Sequence, residues 1–461
     1  MSTQQAVQLS QEKPAANGFR DSAFVGNREL PVHRWVPWIA GFSAQFVDDA
    51  IGQYLPVKRR GVPRILDPFA GVGTTLVQAY THGFDAVGFE INPYAALAVR
   101  TKLEAARLKP KTLRQQIGGF EEFMARACAG GNRRPRSVAP PGFTGRMELF
   151  SPAIERKVLF VLDYIGSIEE PAVRDLFLVA LGSVMVSFSN YSYEPSLTRR
   201  TAVGREPVLD AEVAAVVALK LRLMQTDVEW LQRGLAKFER TPHAEIFDET
   251  FFSAREHLRK GSVDLAITSP PYLNNYHYPR NTRPQLHWLG LATGRGYQGA
   301  REDSSFGKFW QTVRDKETIA LAFSLRSLEE NIGEIRRRNP EKGVYGGHGW
   351  ANYAATYFND THRFCTVLAE VLKSGAAAVV VLGNSIIQGV EIRTDEIFGT
   401  VAELCGLVFE NRIMLREKRT GTSIIQSAVR TDKAARKTVL YESAIVLRKK
   451  EEGRRKMGVK G

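Results

Sequence analysis

The apolar positions of this chain switch between two periods. Arg64–Asp67 (RILD), Asp85–Glu90 (DAVGFE) and Val263–Thr268 (VDLAIT) are short and almost continuously apolar, the pattern of strands buried on both faces. Between the first two, residues 76–83 (LVQAYTHG) read as a helix closed by Gly83. Strand, helix, strand in this order predicts a βαβ unit. Residues 244–247 (AEIF) are a weaker strand candidate. Residues 364–375 (FCTVLAEVLKSG) predict a helix ending on glycine, and residues 376–383 (AAAVVVLG) a buried strand. Residues 408–415 (VFENRIML) and 442–449 (ESAIVLRK) alternate, and are expected to pair antiparallel. The expectation is an α/β, Rossmann-like sheet of about seven strands with helices on both faces.

Two segments interrupt this alternation and divide the chain. The core is expected at 21–100, 244–278 and 351–449. A helical insertion, 101–243, carries a Gly/Pro/Arg-rich linker at 129–145 and a long helical pattern at 212–238. A second insertion, 279–350, is rich in Arg and Gly. Residues 1–20 read as disordered and 450–461 as a charged, solvated tail. There is no internal repeat.

Composition narrows the class. Apolar residues form 44% of the 461, ample for a sizeable core. The N-terminus lacks the apolar middle of a signal peptide, and no apolar run reaches membrane-spanning length, so a cytoplasmic protein away from membranes is expected. Three distant cysteines suit a reducing compartment and argue against a cysteine zinc site. The histidines have no metal-ligand spacing, so no metal is expected. A net charge of +14 points to a polyanionic partner such as DNA.

The chemistry concentrates at two strand ends. After the first strand comes Asp67-Pro68-Phe69-Ala70-Gly71-Val72-Gly73-Thr74-Thr75. Gly71 and Gly73 allow close backbone approach to a ligand, and the following helix start supplies N–H groups. Glu90, 23 residues after Asp67 and at the end of the second strand, is placed to accept hydrogen bonds from ribose hydroxyls. The absence of a following Gly-Lys-Ser/Thr excludes a P-loop, and the third glycine of a dinucleotide fingerprint is missing. After the strand at 263–268 comes Ser269-Pro270-Pro271-Tyr272, a turn that two prolines hold stiffly.

Together, DPFAGVGTT and SPPY resemble the S-adenosylmethionine-dependent DNA amino-methyltransferases. The resemblance covers about 33–100, 245–278 and 364–448, and leaves the insertions uncovered. It implies the class I methyltransferase sheet, S-adenosyl-L-methionine as cofactor and DNA as partner. It implies methyl transfer to an exocyclic base amine. Cytosine N4 is the first choice, from the serine that opens the motif. Adenine N6 stays open, because the glycine loop precedes the catalytic motif. An RNA base substrate and a non-catalytic cofactor-binding regulator are the alternatives. A restriction or defence partner would fit the family. The resemblance carries Asp67, Phe69, Gly71, Gly73, Thr74 and Glu90 to the cofactor loop, and Phe42 and Ser43 (within GFSAQFV) to a second cofactor segment. Asp248 and Ser253 are both candidates for the adenosine contact.

It carries Ser269, Pro270, Pro271 and Tyr272 to catalysis. The Ser269 hydroxyl and Pro270 carbonyl would accept from the amine, and Tyr272 would stack on a base flipped from its duplex. Asn274 and Asn275 could bond the base or phosphate, or serve as turn caps. Arg199 and Arg200, among the aromatics of 187–200, could contact DNA, or form a solvated helix end.

Overall fold

The apolar strand runs assemble as their pattern predicts. The computed structural model describes residues 18–20, 23–38, 41–56, 61–129, 133–141, 148–194, 196–273, 278–292, 304–418 and 439–451. Seven strands form the main sheet: β1 (Arg64–Asp67), β2 (Asp85–Phe89), β3 (Ala244–Phe247), β4 (Val263–Thr268), β5 (Leu372–Gly383), β6 (Leu407–Lys418) and β7 (Leu440–Lys449), in the order β6-β7-β5-β4-β1-β2-β3. Strands β1 to β5 run parallel, whereas β7 is antiparallel to both β5 and β6. The order reverses direction between β1 and β4, the place where open α/β sheets leave a crevice at their carboxyl ends. This is the α/β, Rossmann-like sheet of seven strands expected from the sequence.

Alternation along each strand divides the core into two layers. Ile65, Ala86, Leu265, Ile267 and Val379 belong to one apolar cluster, and Leu66, Val87, Ala266, Ala378 and Val380 to the other. The first layer is covered by α1 (Ala44–Tyr54), α2 (Thr74–Thr81) and α3 (Pro93–Glu104). The predicted first insertion extends the same layer with α4 (Pro110–Ala129), α5 (Pro152–Gly166), α6 (Pro171–Val184) and α7 (Val213–Leu235). Because Phe120, Phe160, Phe177 and Leu221 join that single cluster, the insertion is an added helical layer of the core and not a separable module. The helix α8 (Tyr278–Trp288) buries Leu286 and Trp288 on this side as well. The second layer is covered by α9 (Arg326–Arg337), α10 (Gly347–Val371) and α11 (Thr394–Leu404).

Four expectations need correction. The helix predicted at 364–375 begins at Gly347 and ends at Val371. Leu372 already pairs with Val263 in the sheet, and Lys373 bonds Asp264 at 2.7 Å. The apparent cap, Gly375, instead takes a positive φ of 74° within β5, beside a register shift that only glycine accommodates without strain. Second, residues 19 and 20, expected to be disordered, are held in place. Phe19 stacks on Phe46 with ring centroids 4.8 Å apart, and the Arg20 guanidinium grips the Asp49 carboxylate. Third, part of the linker at 129–145 is strapped down: the Asp163 carboxylate accepts from the backbone N–H groups of Arg136 and Ser137. Fourth, 187–200 is no helix end. Tyr191–Tyr193 and Leu197–Arg199 form an antiparallel hairpin.

Candidate functional site

The parallel sheet puts the glycine turn and the Ser-Pro-Pro-Tyr turn at the carboxyl ends of two adjacent strands, β1 and β4. The ends are bonded to each other. Thr268, the last residue of β4, donates its hydroxyl to Asp67 Oδ1 at 2.7 Å, and Thr75 Oγ1 donates to the Ile267 carbonyl at 3.3 Å. Asp67 is 1% exposed and also accepts from the Phe69 N–H. Burial pushes its carboxyl up to about 6, against the pull of the Thr268, Thr75 and Phe69 donors. Asp67 is therefore a brace between the two motifs rather than a group open to ligand.

Glu90, one residue past β2, turns back over the glycine turn. Its two carboxylate oxygens accept from Gly71 N–H at 2.8 Å and Asn92 N–H at 2.7 Å. Burial pushes the carboxyl up to about 7; those two donors pull it down, and the charges of Asp67 and Asp248 push it further up. Asp248 immediately follows β3, next to Glu90 across the β2–β3 pair, where Glu90 N–H bonds the Phe247 carbonyl. Ser253 faces elsewhere: its hydroxyl donates to the Thr250 carbonyl at 2.8 Å and the Glu249 carboxylate at 2.9 Å. Of the two adenosine candidates, only Asp248 shares the electrostatic surroundings of Glu90.

The glycines satisfy two demands at once. Gly71 and Gly73 have φ of 50° and 85°, and a Cβ on Gly73 would lie 2.9 Å from a Val99 methyl of α3. A Cβ on Gly71 would lie 3.1 Å from Trp38 Nε1, so an indole flanks the turn. Phe69 points into the second apolar layer, stacked on Phe364 at 5.5 Å and edge-on to Phe306 at 5.3 Å.

The GFSAQFV segment, expected to be a second cofactor segment, is joined to the turn by Asn27. Asn27 Oδ1 accepts from Ala44 N–H at 2.8 Å; its Nδ2 donates to the Phe42 carbonyl at 3.1 Å and reaches Thr74 Oγ1 at 3.5 Å. Phe42 and Ser43 are buried, and the Ser43 hydroxyl caps α1 by accepting from Phe46 N–H. Asn27 lies 47 positions before Thr74, in a segment without any motif, so nothing local marks it.

At the end of β4, Ser269 is half-buried, and its hydroxyl has no bond among the described residues. Pro270 is buried and Pro271 half-buried. Tyr272 is anchored twice. Its hydroxyl lies 3.3 Å from Glu442 Oε1 on β7, and Glu442 is itself paired with Arg416. Its ring crowds the last residue of β5, where a Cβ on Gly383 would meet it at 3.4 Å. Asn274 and Asn275 lie outside the described residues. Arg199 sits in the hairpin opposite Tyr191, and Arg200 Nε donates to the Glu206 carbonyl at 2.9 Å. That hairpin docks on α8, just after the Ser-Pro-Pro-Tyr turn: Tyr193 donates its hydroxyl to the Asn281 carbonyl at 3.0 Å, and Leu197 N–H donates to Asn281 Oδ1 at 2.9 Å. Glu249, Glu256 and His257 bring their ligand atoms within 4.8 Å of one another, a grouping that the His257–Glu249 contact at 3.1 Å accounts for.

No model of a protein family matches the chain. Over 90% of its length it is 23% identical to the type II methyltransferase M.AvaI of Nostoc sp., covering 87% of that protein. It is 22% identical to the type II methyltransferase M.BsoBI of Geobacillus stearothermophilus, over 90% of this chain and 86% of that one. Both relatives are type II methyltransferases, and the chain is similar to each of them over most of its length. A shorter match, 21% identical over 58% of this chain and 59% of the relative, is to the type II methyltransferase M.MvaI of Kocuria varians. Among solved structures, the rRNA methyltransferase aviRa of Streptomyces viridochromogenes matches with a TM-score of 0.29 at 8% identity over 92% of both chains. A geranyl diphosphate methyltransferase scores 0.29 at 8% identity, over 88% of this chain and 76% of that one. Scores of that size add nothing to the sheet order given above. No helix among the described residues is long and apolar enough to cross a membrane.

Proposed function

We propose that this protein methylates DNA at an exocyclic base amine, with S-adenosylmethionine as donor and cytosine N4 as the preferred target. The observation that carries the reading is the Thr268–Asp67 bond of 2.7 Å, which locks the glycine turn against the Ser-Pro-Pro-Tyr turn at adjacent strand ends. A donor held by one and an amine held by the other would then meet over the same crevice.

The residues fit this cofactor. The peptide between Gly71 and Val72 makes no hydrogen bond among the described residues, although those on either side of it do. It is thus free for a polar ligand, next to the buried Glu90 carboxylate that suits ribose hydroxyls. The cofactor supplies an electrophilic methyl on a sulfonium. Ser269 Oγ and the Pro270 carbonyl accept hydrogen bonds from the two amine hydrogens, drawing the nitrogen lone pair out of conjugation and toward the methyl. Once the amine carries the methyl, Ser269 Oγ and the Pro270 carbonyl would direct its surplus proton to water. Tyr272, held at ring and hydroxyl, offers a fixed stacking surface for an extruded base. A restriction endonuclease reading the same DNA sequence is the expected cellular counterpart.

Adenine N6 is the second reading, favoured by one observation: the glycine turn precedes the catalytic turn in the chain. The experiment is mass analysis of modified bases in DNA and RNA from a host expressing the protein, with sequence-resolved detection of the modified sites. N4-methylcytosine in DNA is expected. N6-methyladenine would transfer the mechanism to the other amine. Modification confined to RNA, or none from protein that binds the cofactor, would overturn the reading.

A further inference from the structure

Lys102 lies on α3, is 1% exposed and has no carboxylate bonded to it among the described residues. A buried ammonium in this state is costly, and burial, with the nearby Lys220 charge, holds its pKa down at about 7. It bonds to the glycine turn: Nζ donates to the Val72 carbonyl at 2.7 Å. Val99, three residues earlier on the same helical face, packs beneath Gly73.

The peptide units of the turn show what this bond accomplishes. The N–H of the 70–71 peptide donates to Glu90. The 72–73 peptide is held at both ends, its carbonyl by Lys102 and its N–H by the Ala70 carbonyl at 2.7 Å. The 72–73 unit ends on the Val72 α-carbon, which is one of the two pivots of the 71–72 peptide, so holding that unit restrains the pivot. The 71–72 peptide between these fixed units is the one left unbonded, and the Gly71 α-carbon at its other end is soft enough to let it turn over.

We propose that Lys102 is a positioning residue for the cofactor: by holding the Val72 carbonyl beneath the turn, it keeps the 71–72 peptide presented to S-adenosylmethionine. The inference rests on the methyltransferase reading of the same turn. It differs from a packing role, since a residue needed only to fill space would be replaced without loss by methionine, which has nearly the same length and no donor.

The test compares wild type with Lys102→Met and Lys102→Gln, all verified as folded by circular dichroism. Isothermal calorimetry measures affinity for S-adenosylmethionine, and steady-state kinetics on methylatable DNA separates KM for the cofactor from kcat. For Lys102→Met, cofactor affinity should fall about tenfold or more, the scale of a lost hydrogen bond from a charged group, with kcat at saturating cofactor and KM for DNA little changed. Lys102→Gln, which keeps an N–H donor, should recover most of the affinity. If Lys102→Met binds the cofactor as wild type does, or if both variants lose affinity alike, the positioning role is wrong. If Lys102→Met does not fold, the Gln variant decides: near-normal affinity supports the role, and a tenfold loss in folded protein overturns it. Wild-type protein that binds no S-adenosylmethionine would overturn the functional reading itself, a result distinct from either variant's behaviour.

Discussion

The two turns at the heart of the site are neighbours in space yet are held in opposite ways. The glycine turn after β1 is gripped from outside itself: by Glu90 on Gly71, Lys102 on Val72, Val99 under Gly73 and Thr268 on Asp67. The turn after β4 is stiff from within. Two prolines fix its backbone, Tyr272 is tethered to Glu442, and the Ser269 hydroxyl has no bond among the described residues. A cofactor that approaches backbone closely needs glycines, and glycine loops lose much entropy on ordering, so outside contacts must set their shape. A motif that acts through one hydroxyl and one carbonyl needs those groups free, so the rigidity must come from the chain itself.

The largest effect should come from breaking the outside grip. Gly73→Ala places a Cβ at φ 85° and 2.9 Å from Val99. A loss of cofactor affinity of at least about a hundredfold is expected, from strain on the order of 1–3 kcal/mol together with the clash. Calorimetry on folded protein measures it, and wild-type affinity would show that α3 does not shape the turn.

Next is the pH dependence of stability. Glu90 has a folded pKa of about 7, raised above an ordinary value of 4.5. For a carboxyl raised on folding, stability is fully present below the ordinary value and is lost as pH rises through the folded value. Wild type should therefore lose stability relative to Glu90→Gln between pH 4.5 and about 7, by on the order of 3 kcal/mol at most. Urea melts of both proteins across that range measure the difference. A gap that does not change with pH would mean that Glu90 is ionised at ordinary pH despite its burial. Gln also keeps acceptor capacity toward only part of the Gly71 and Asn92 pair, so the comparison is read from its pH dependence and not its offset.

On the other side, Ser269→Ala should leave cofactor affinity unchanged and slow single-turnover methyl transfer by about a hundredfold, the scale of one lost hydrogen-bonding group at a reacting centre. A normal rate would reduce the motif to a proline turn. The smallest effect should come from Tyr272→Phe, which keeps the ring against β5 and loses only the tether to Glu442. A reduction of about fivefold in the DNA-dependent step is expected, near 1 kcal/mol for one hydrogen bond. If the loss instead matches that of Tyr272→Ala, the tether matters more than the stacking face.

Much of this arrangement was legible along the chain. β1, β2, β4 and the final antiparallel pair followed from apolar runs, and the two motifs marked their own positions because glycine and proline restrict the backbone locally. The helix boundary at Val371 was not legible, since LAEVLKSG carries a helical pattern and a terminal glycine whichever way Leu372 turns. Pairing with Val263 decided it. Arg336, one of three consecutive arginines, directs its guanidinium to Thr318 and Asn352, partners that no local pattern marks.

What the sequence by itself determined was the kind of site: a glycine turn, an acid one strand later and a proline-stiffened Ser-Pro-Pro-Tyr, each fixed by residue types acting on their own backbone. The tertiary structure decided which other residues serve it. Lys102, Asn27, Thr268 and Trp38 meet the turns only because the parallel sheet and its covering helices bring distant segments together, and Asp67 becomes a brace because Thr268 ends the adjacent strand. Local chemistry is written in composition and spacing. Partners separated by dozens to hundreds of residues are selected by the register and packing of the whole fold, which no short stretch of sequence encodes.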